Sequence, residues 1–321
     1  MNFNDKITQL RQEIDRQLRP LITNDYVLLN LPYHGNIGDT LIWQGEIDYL
    51  STFPYKCLGA HSENSWRGQC LRPEAVILLH GGGNFGDLWR DFHEFSLRII
   101  EDYPDNKIIM FPQSVWYNDK NLLANDAQLI NRHSNLTLCA RDRYTYDIFR
   151  ANFTNATVLL VPDMAFCISE STLAPYRLKT VAGKKLFFKR TDKELATGDL
   201  ITPDPHTDIR EWPTIEKKTA ALNMMRIARG IKHRLPVKPL ANTINVVTDV
   251  FANRYLRKNL VNTGCRFLAP YEHVTTTRLH AMILSILLHK PVRYIDNTTG
   301  KLSAFAQTWL SDLDAINPYQ K

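Results

Sequence analysis

Five short stretches of the 321-residue chain carry side chains able to bind an anion or move a proton, each set at a turn that would expose them. Two are glycine-rich: His34-Gly35-Asn36-Ile37-Gly38-Asp39 and His80-Gly81-Gly82-Gly83-Asn84-Phe85-Gly86-Asp87. Both follow an apolar run and precede a segment of helical period. Glycine admits positive φ and lets backbone approach a ligand closely. A helix N-terminus just beyond offers unpaired N–H groups and a positive dipole end. Neither stretch fits GxxxxGK[ST], and the Gly81, Gly83 and Gly86 spacing alone does not specify a nucleotide. One glycine turn is explained by packing alone. Gly81, Gly82, Gly83 and Gly86 together, flanked by Asn84 and Asp87, point to ligand contact.

The third stretch is Ala140-Arg141-Asp142-Arg143, at the end of an apolar run. Arg141 there suits a carboxylate or phosphate, and equally an ion pair with Asp142 or Asp163. The fourth is Thr275-Thr276-Thr277-Arg278-Leu279-His280, opening an apolar helix; Arg278 and His280 can face one pocket where the dipole favours anions. The fifth, Asp296-Asn297-Thr298-Thr299-Gly300-Lys301, places Lys301 at another helix start, either reaching a phosphate as a point charge or exposed on the surface. No HExxH, His/Cys cluster or EF-hand spacing occurs, so no metal is expected. GxSxG is also missing.

These stretches need rigid elements behind them. Buried-strand runs occur at Tyr26–Leu31, Ala75–His80, Lys107–Pro112, Leu136–Ala140 and Thr157–Val161. Helical periods lie between them at 38–51, 90–103, 119–133 and 143–151, after a first amphipathic helix at 5–18. Residues 162–183, with Pro162, Pro175 and Gly183, break the rhythm. A second set follows, with strands at Lys185–Lys189, Ile244–Thr248, Arg266–Ala269 and Val292–Asp296, and helices at 215–233, 250–262, 278–289 and 301–312. Residues 192–213 read as a long loop. Alternating strand and helix predicts an α/β protein of two Rossmann-like, doubly wound domains facing a cleft, an N-terminal one over 1–165 and a C-terminal one over 166–321.

Composition agrees with a globular protein: 44% hydrophobic and 22% charged residues exclude a disordered chain. No apolar run approaches the ~20 residues of a membrane span. Charges at Asp5, Lys6, Arg11, Glu13 and Asp15 interrupt any signal peptide, so the chain reads as cytoplasmic. Cys57, Cys70, Cys139, Cys167 and Cys265 show no paired spacing and read as free thiols. Sequons at Asn135, Asn152, Asn155 and Asn297 are then chance matches. The net charge of +6 is uneven: residues 217–248 hold seven cations and no acid. The amphipathic 217–238 stretch suits peripheral contact with an anionic membrane, and more commonly a solvated helix packed on its own domain. Aromatics do not interleave with it, which argues against nucleic acid.

Together, in this order, GNIGD, HGGGNFGDLW, FPQS, ARDRYTYD, PDMAF, KRTD, TTRLHAMILS and IDNTTGK resemble the polysaccharide pyruvyl transferase family, in particular its bacterial exopolysaccharide-biosynthesis members. The resemblance runs from Gly35 to about Trp309. It implies a fold like the GT-B glycosyltransferases, phosphoenolpyruvate as donor and co-substrate with no other cofactor, and a sugar diol of a glycan as acceptor. It also implies that Arg141, Arg278, Leu279 and Lys301 bind the donor and that His280 is catalytic. The remaining cleft candidates, His34, Asn36, Asp39, Gly82, Gly83, Asn84 and Asp87, are read from the residues themselves and placed on the acceptor side, with the N-terminal domain. A nearly trianionic donor calls for several cations, and an imidazole is the side chain best suited to protonate its methylene carbon. Two rival readings remain: a nucleotide-sugar glycosyltransferase on the same architecture, and a non-catalytic carbohydrate-binding subunit. A lipid-linked acceptor would suit the basic stretch; the sequence leaves the acceptor sugar and the oligomeric state open.

Overall fold

The computed structural model describes residues 1–192, 194–195, 204–234 and 238–319, without the side chains of 232–234 and 238–241. Among the described residues two wholly parallel sheets organise the chain. The first contains β1 (Tyr26–Leu29), β2 (Cys57–Ala60), β3 (Val76–Leu79), β4 (Gly82–Gly86), β5 (Ile108–Trp116), β6 (Leu136–Ala140) and β7 (Thr157–Leu160). Its order is β2-β1-β3-β5-β6-β7, with β4 beside β5. The second contains β8 (Lys185–Phe188), β9 (Thr207–Arg210), β10 (His273–Thr276), β11 (Val292–Tyr294) and β12 (Ile316–Pro318), in the order β12-β11-β10-β8-β9. Tyr-Val-Leu-Leu of β1 and Val-Ile-Leu-Leu of β3 are buried throughout, as strands covered on both faces must be.

The helices are α1 (Phe3–Leu18), α2 (Ile37–Leu50), α3 (Arg90–Asp102), α4 (Lys120–Ile130), α5 (Arg143–Asn152), α6 (Glu170–Arg177), α7 (Pro213–Glu216), α8 (Ala220–Arg234), α9 (Lys238–Phe251), α10 (Arg257–Leu268), α11 (Leu279–Leu287) and α12 (Lys301–Trp309). A π-helical turn, Ala252–Leu256, joins α9 to α10. Strand order reverses between β1 and β3 in one sheet and between β8 and β10 in the other. Such switch points leave a crevice beyond the strands' carboxyl ends.

One continuous apolar core ties the two sheets together. It includes Leu28, Ile37, Trp43 and Phe111 from the first half and Trp212, Leu260, Met282 and Phe305 from the second. A second cluster, with Phe85, Phe95, Phe149 and Phe153, covers the other face of the first sheet. Helix α1 bridges the halves: Arg11 donates to the carbonyls of Phe166 and Ile168, and Phe3 stacks on His289.

The first half follows the sequence pattern closely, and the second departs from it. Ile244–Thr248, read as a strand, lies inside α9, and Arg266–Ala269 forms the end of α10. Strand propensity reports fit to a pleated, half-buried surface, and these residues meet no strand partner. The strands actually used there, β9, β10 and β12, have three or four residues, too few to show a period. Much of the long loop read at 192–213 falls outside the described residues, but β9 occupies 207–210. The glycine stretch is likewise more than a loop. Gly82–Gly86 forms β4, which pairs with the end of β5 beyond the part of β5 that β3 occupies.

Candidate active site

Both switch points open onto one cavity of about 500 Å³. That lies within the usual range of small-molecule sites. The sheets contribute to it at their carboxyl ends. Arg141 follows β6, Arg190 and Asp192 follow β8, and Arg278 follows β10, while His280 enters on the first turn of α11 and Lys301 on that of α12. The loop after β1 brings His34, Asn36 and Asp39, and β4 brings Gly83 and Asn84.

Arg141 is 2% exposed and bonded through two of its nitrogens. Its Nε donates to Ser114 Oγ at 2.8 Å and its Nη1 to Asp163 Oδ2 at 2.8 Å. His280 Nε2 lies 3.3 Å from the same Asp163 oxygen and 3.5 Å from Arg141 Nη1. Burial alone would raise Asp163. His280 and Arg141 outweigh it and hold the carboxyl well below the usual carboxylate range. The result is an arginine–carboxylate–imidazole cluster drawn from both halves, which fixes the orientation of the imidazole.

A second cluster surrounds Arg278, which is 6% exposed. Its Nε and Nη2 each donate to Glu211 at 2.6 Å, and Nη2 also donates to Asp192 at 2.9 Å. Burial would lower this guanidinium, but Glu211 and Asp192 raise it above its ordinary value. Arg190 bonds Asp192 through Nε and Nη2 and Glu194 through Nη1. Glu194 is held on both oxygens: Trp89 Nε1, Arg190 Nη1 and Asn297 Nδ2 donate to it at 2.9–3.0 Å, and Lys301 Nζ stands 3.4 Å away. Burial lowers Lys301, with Glu194 opposing. The expectation of a simply cationic pocket therefore needs correction. Arg141, Arg190, Arg278 and Lys301 are matched, four against four, by Asp163, Asp192, Glu194 and Glu211.

Glycines let these groups meet. A methyl group at Gly83 would lie 3.0 Å from Lys301 Nζ and 3.2 Å from Arg141 Nη2. Gly82, with φ of 136°, turns the chain into that position but does not line the cavity. Asn36 caps α2 by accepting from Gly38 N at 3.1 Å, and its Nδ2 donates to Asp39 at 2.9 Å. His34 Nε2 is 3.6 Å from Asp39 Oδ2. Burial pushes His34 below its ordinary range, Asp39 opposing.

Of the residues singled out from sequence, His34, Asn36, Asp39, Gly83, Asn84, Arg141, Arg278, Leu279, His280 and Lys301 line this cavity. Asp87 does not. It accepts from the backbone N–H groups of Asn118 and Asp119 and belongs to a separate surface depression, so its place in the cleft is corrected to a turn-fastening role. Sequence reasoning assigned no role to Arg190, Asp192, Glu194, Trp89 or Asn297. Arg190 and Asp192 follow β8 within four residues, a looser form of the signal that marked Arg141. Trp89 ends the HGGGNFGDLW stretch just before α3, and Glu194 lies in a stretch with no such mark.

Comparison with known proteins gives a consistent picture. A family model described as polysaccharide pyruvyl transferase matches residues 36–299. EpsO of Bacillus subtilis (strain 168) is 28% identical over 330 residues, covering 100% of this chain and 94% of EpsO. Pyruvyl transferase 1 of Schizosaccharomyces pombe (strain 972 / ATCC 24843) is 29% identical over 297 residues, covering 88% of this chain and 69% of that protein. A crystal structure from Klebsiella pneumoniae subsp. pneumoniae NTUH-K2044 superposes with a TM-score of 0.63 at 20% identity, covering 97% of this chain and 99% of the other, and shares the fold.

Proposed function

The chain belongs to the polysaccharide pyruvyl transferase family, and from that premise we propose that the cavity between its sheets is where phosphoenolpyruvate meets a sugar diol and becomes a pyruvate ketal. Membership makes it an enzyme of pyruvyl transfer to polysaccharide and does not favour glycosyl transfer, the rival reading. We read the two sheets as a GT-B arrangement, with residues 1–165 chiefly on the acceptor side and 166–321 chiefly on the donor side. Arg141 qualifies that division, because it meets His280 across it.

The observation that carries this reading is the Arg141–Asp163–His280 cluster beside Lys301 and Arg278 in one cavity. In the proposed reaction His280 gives a proton to the methylene carbon of the donor. The resulting C2 cation is attacked by one sugar hydroxyl, which releases its proton. The C2–O bond to phosphate then breaks and inorganic phosphate leaves. A second hydroxyl adds to C2, giving up its proton and closing the ketal. One proton is taken up and two are released, which returns His280 to its starting state and leaves one for the phosphate. Arg278, Lys301 and Arg190 face the donor's anionic groups, with the backbone N–H of Leu279 at the start of α11 beside them. His34, held toward its neutral form, and Asp39 stand where an acceptor hydroxyl needs a base.

The direct experiment is mass spectrometry of candidate glycans after incubation with phosphoenolpyruvate, coupled to phosphate release. Gain of a carboxyethylidene group, with one phosphate per group, is expected. Phosphate release without the added group, or glycosylation from a nucleotide sugar, would overturn the reading.

A further inference from the structure

Helices α8 and α9 carry an unusual surface. Among the described residues, fourteen large hydrophobic side chains are exposed, and six of these sit on this one pair: Met224, Ile227 and Ile231 on α8, and Val246, Val247 and Val250 on α9. Their exposures run from 48% to 62%. At about 100° per residue, Met224, Ile227 and Ile231 fall within roughly 60° of one another, and the three valines within roughly 100°. The opposite sides of both helices face inward: Met225, Arg229, Ile244 and Thr248 line a small pocket against the loops that hold Tyr33 and Ser62. The two apolar rows therefore point away from the body of the protein.

The charge around them has one sign. No Asp or Glu occurs from residue 217 to 248, while Lys217, Lys218 and Arg226 are exposed; Arg229 is exposed too but lies on the inward side. The side chains of Lys232, Arg234 and Lys238 are outside those described. The nearest acids are turned aside: Asp249 accepts from Tyr33 Oη and pairs with His61, and Glu216 pairs with Arg210. Glu63 lies near Arg229. Exposed Arg67 reaches the carbonyl of Asn242, adding a cation beside α9.

We propose that the outer face of α8 and α9 docks this enzyme on an anionic lipid bilayer, the apolar rows entering the headgroup boundary and the cations binding acidic lipids. A second copy of the chain fits worse, because a two-fold contact would oppose one positive patch to another. The position also serves the cavity. Thr214, Ile215 and Lys218, just ahead of α8, line the cavity, so docking would hold that side of it near the membrane surface.

The test is co-sedimentation of the full chain with vesicles of phosphatidylcholine, alone and mixed with phosphatidylglycerol, at low and high salt. Binding is expected only with the acidic lipid, and should fade as salt rises. Arg226→Glu should weaken it by more than the roughly fivefold expected per lost cation. Ile227→Asp, at an exposed site, should abolish insertion with thermal unfolding and turnover of a small soluble diol unchanged. Failure of the wild-type protein to pellet with acidic vesicles would overturn the proposal. So would a dimer, seen by light scattering, that Ile227→Asp dissolves while vesicle binding persists. Vesicle binding requires no catalysis, so it stands or falls separately from the pyruvyl-transfer reading.

Discussion

A methyl group placed on Gly38 would lie 2.7 Å from Nδ1 of His280 and 3.0 Å from its Cβ and Cγ. The second glycine of the first loop thus sets how far the imidazole can swing toward α2, and Asp163, 3.3 Å from Nε2, limits it on the other side. Gly38→Ala should displace the ring more than it disturbs the helix, since alanine exceeds glycine in helix propensity by about 1 kcal/mol. Turnover is expected to fall about tenfold or more, with KM for the donor changed far less. His280→Ala should fall to near background with the fold intact. Phosphate release and thermal unfolding on the same samples check both. Full turnover in Gly38→Ala would show that the ring's position does not limit the reaction, and full turnover in His280→Ala would remove it from the mechanism.

Arg141 should not tolerate lysine. Its guanidinium joins Ser114 to Asp163 through two different nitrogens, a span that one ammonium cannot reproduce. Arg141→Ala leaves Asp163 buried with one positive partner fewer. Breaking such a pair on one side costs about 3–5 kcal/mol. Denaturant unfolding should show a loss of that order for alanine and a smaller one for lysine, with transfer impaired in both. Unaltered stability in the alanine variant would mean that Asp163 finds another partner.

Arg141, Arg278, His280 and Lys301 were legible in the sequence because each stands next to a clear element boundary, the end of an apolar run or the start of a helix. Their acidic partners were not. Asp163 follows β7 by a few residues and could be named only as one of two alternatives for Arg141. Glu211 and Glu194 come from a segment whose prolines and short strand give no periodicity. The first sheet could be read because β1 and β3 are apolar throughout and β6 is so apart from Thr137. In the second half Ile244–Thr248 reads as a strand by its β-branched residues, yet it packs as a helix with Val246 and Val247 facing outward. Propensity there was overridden by the docking of α9 onto Tyr33 and His61, a contact that no local pattern encodes.

Acid should weaken the fold through the cavity's own carboxylates. Burial would raise Glu194 and Asp192. Lys301 and Arg190 bring the first down to about 2, and Arg190 and Arg278 bring the second to about 2. Unfolded, such groups titrate near 4. A folded value below the unfolded one contributes stability that is complete above the unfolded pKa and is lost as pH falls through the folded one. Stability is thus expected to be level from neutrality to about pH 5 and to decline from there to about pH 2. About two units on Glu194 correspond to roughly 3 kcal/mol. Unfolding free energy measured across that range should fall less steeply in Glu194→Gln, and identical curves would show that Glu194 is not held as described.

The same substitution should strengthen donor binding. Glu194 accepts from Trp89, Arg190 and Asn297 and neighbours Lys301, a set of partners that a carboxylate or phosphate of the donor would itself use. For the donor's negative groups to engage Arg190 and Lys301, Glu194 must give up part of its hold, and its charge repels the incoming anion. An amide keeps the shape and removes the charge. KM for phosphoenolpyruvate is expected to drop about tenfold in Glu194→Gln, equivalent to about 1.4 kcal/mol, with kcat little changed. Steady-state kinetics on the purified variant, at fixed ionic strength, measures this. A raised KM would reverse the assignment, because Glu194 would then be the group that aligns Lys301 and Arg190 for the donor rather than the one that competes for them.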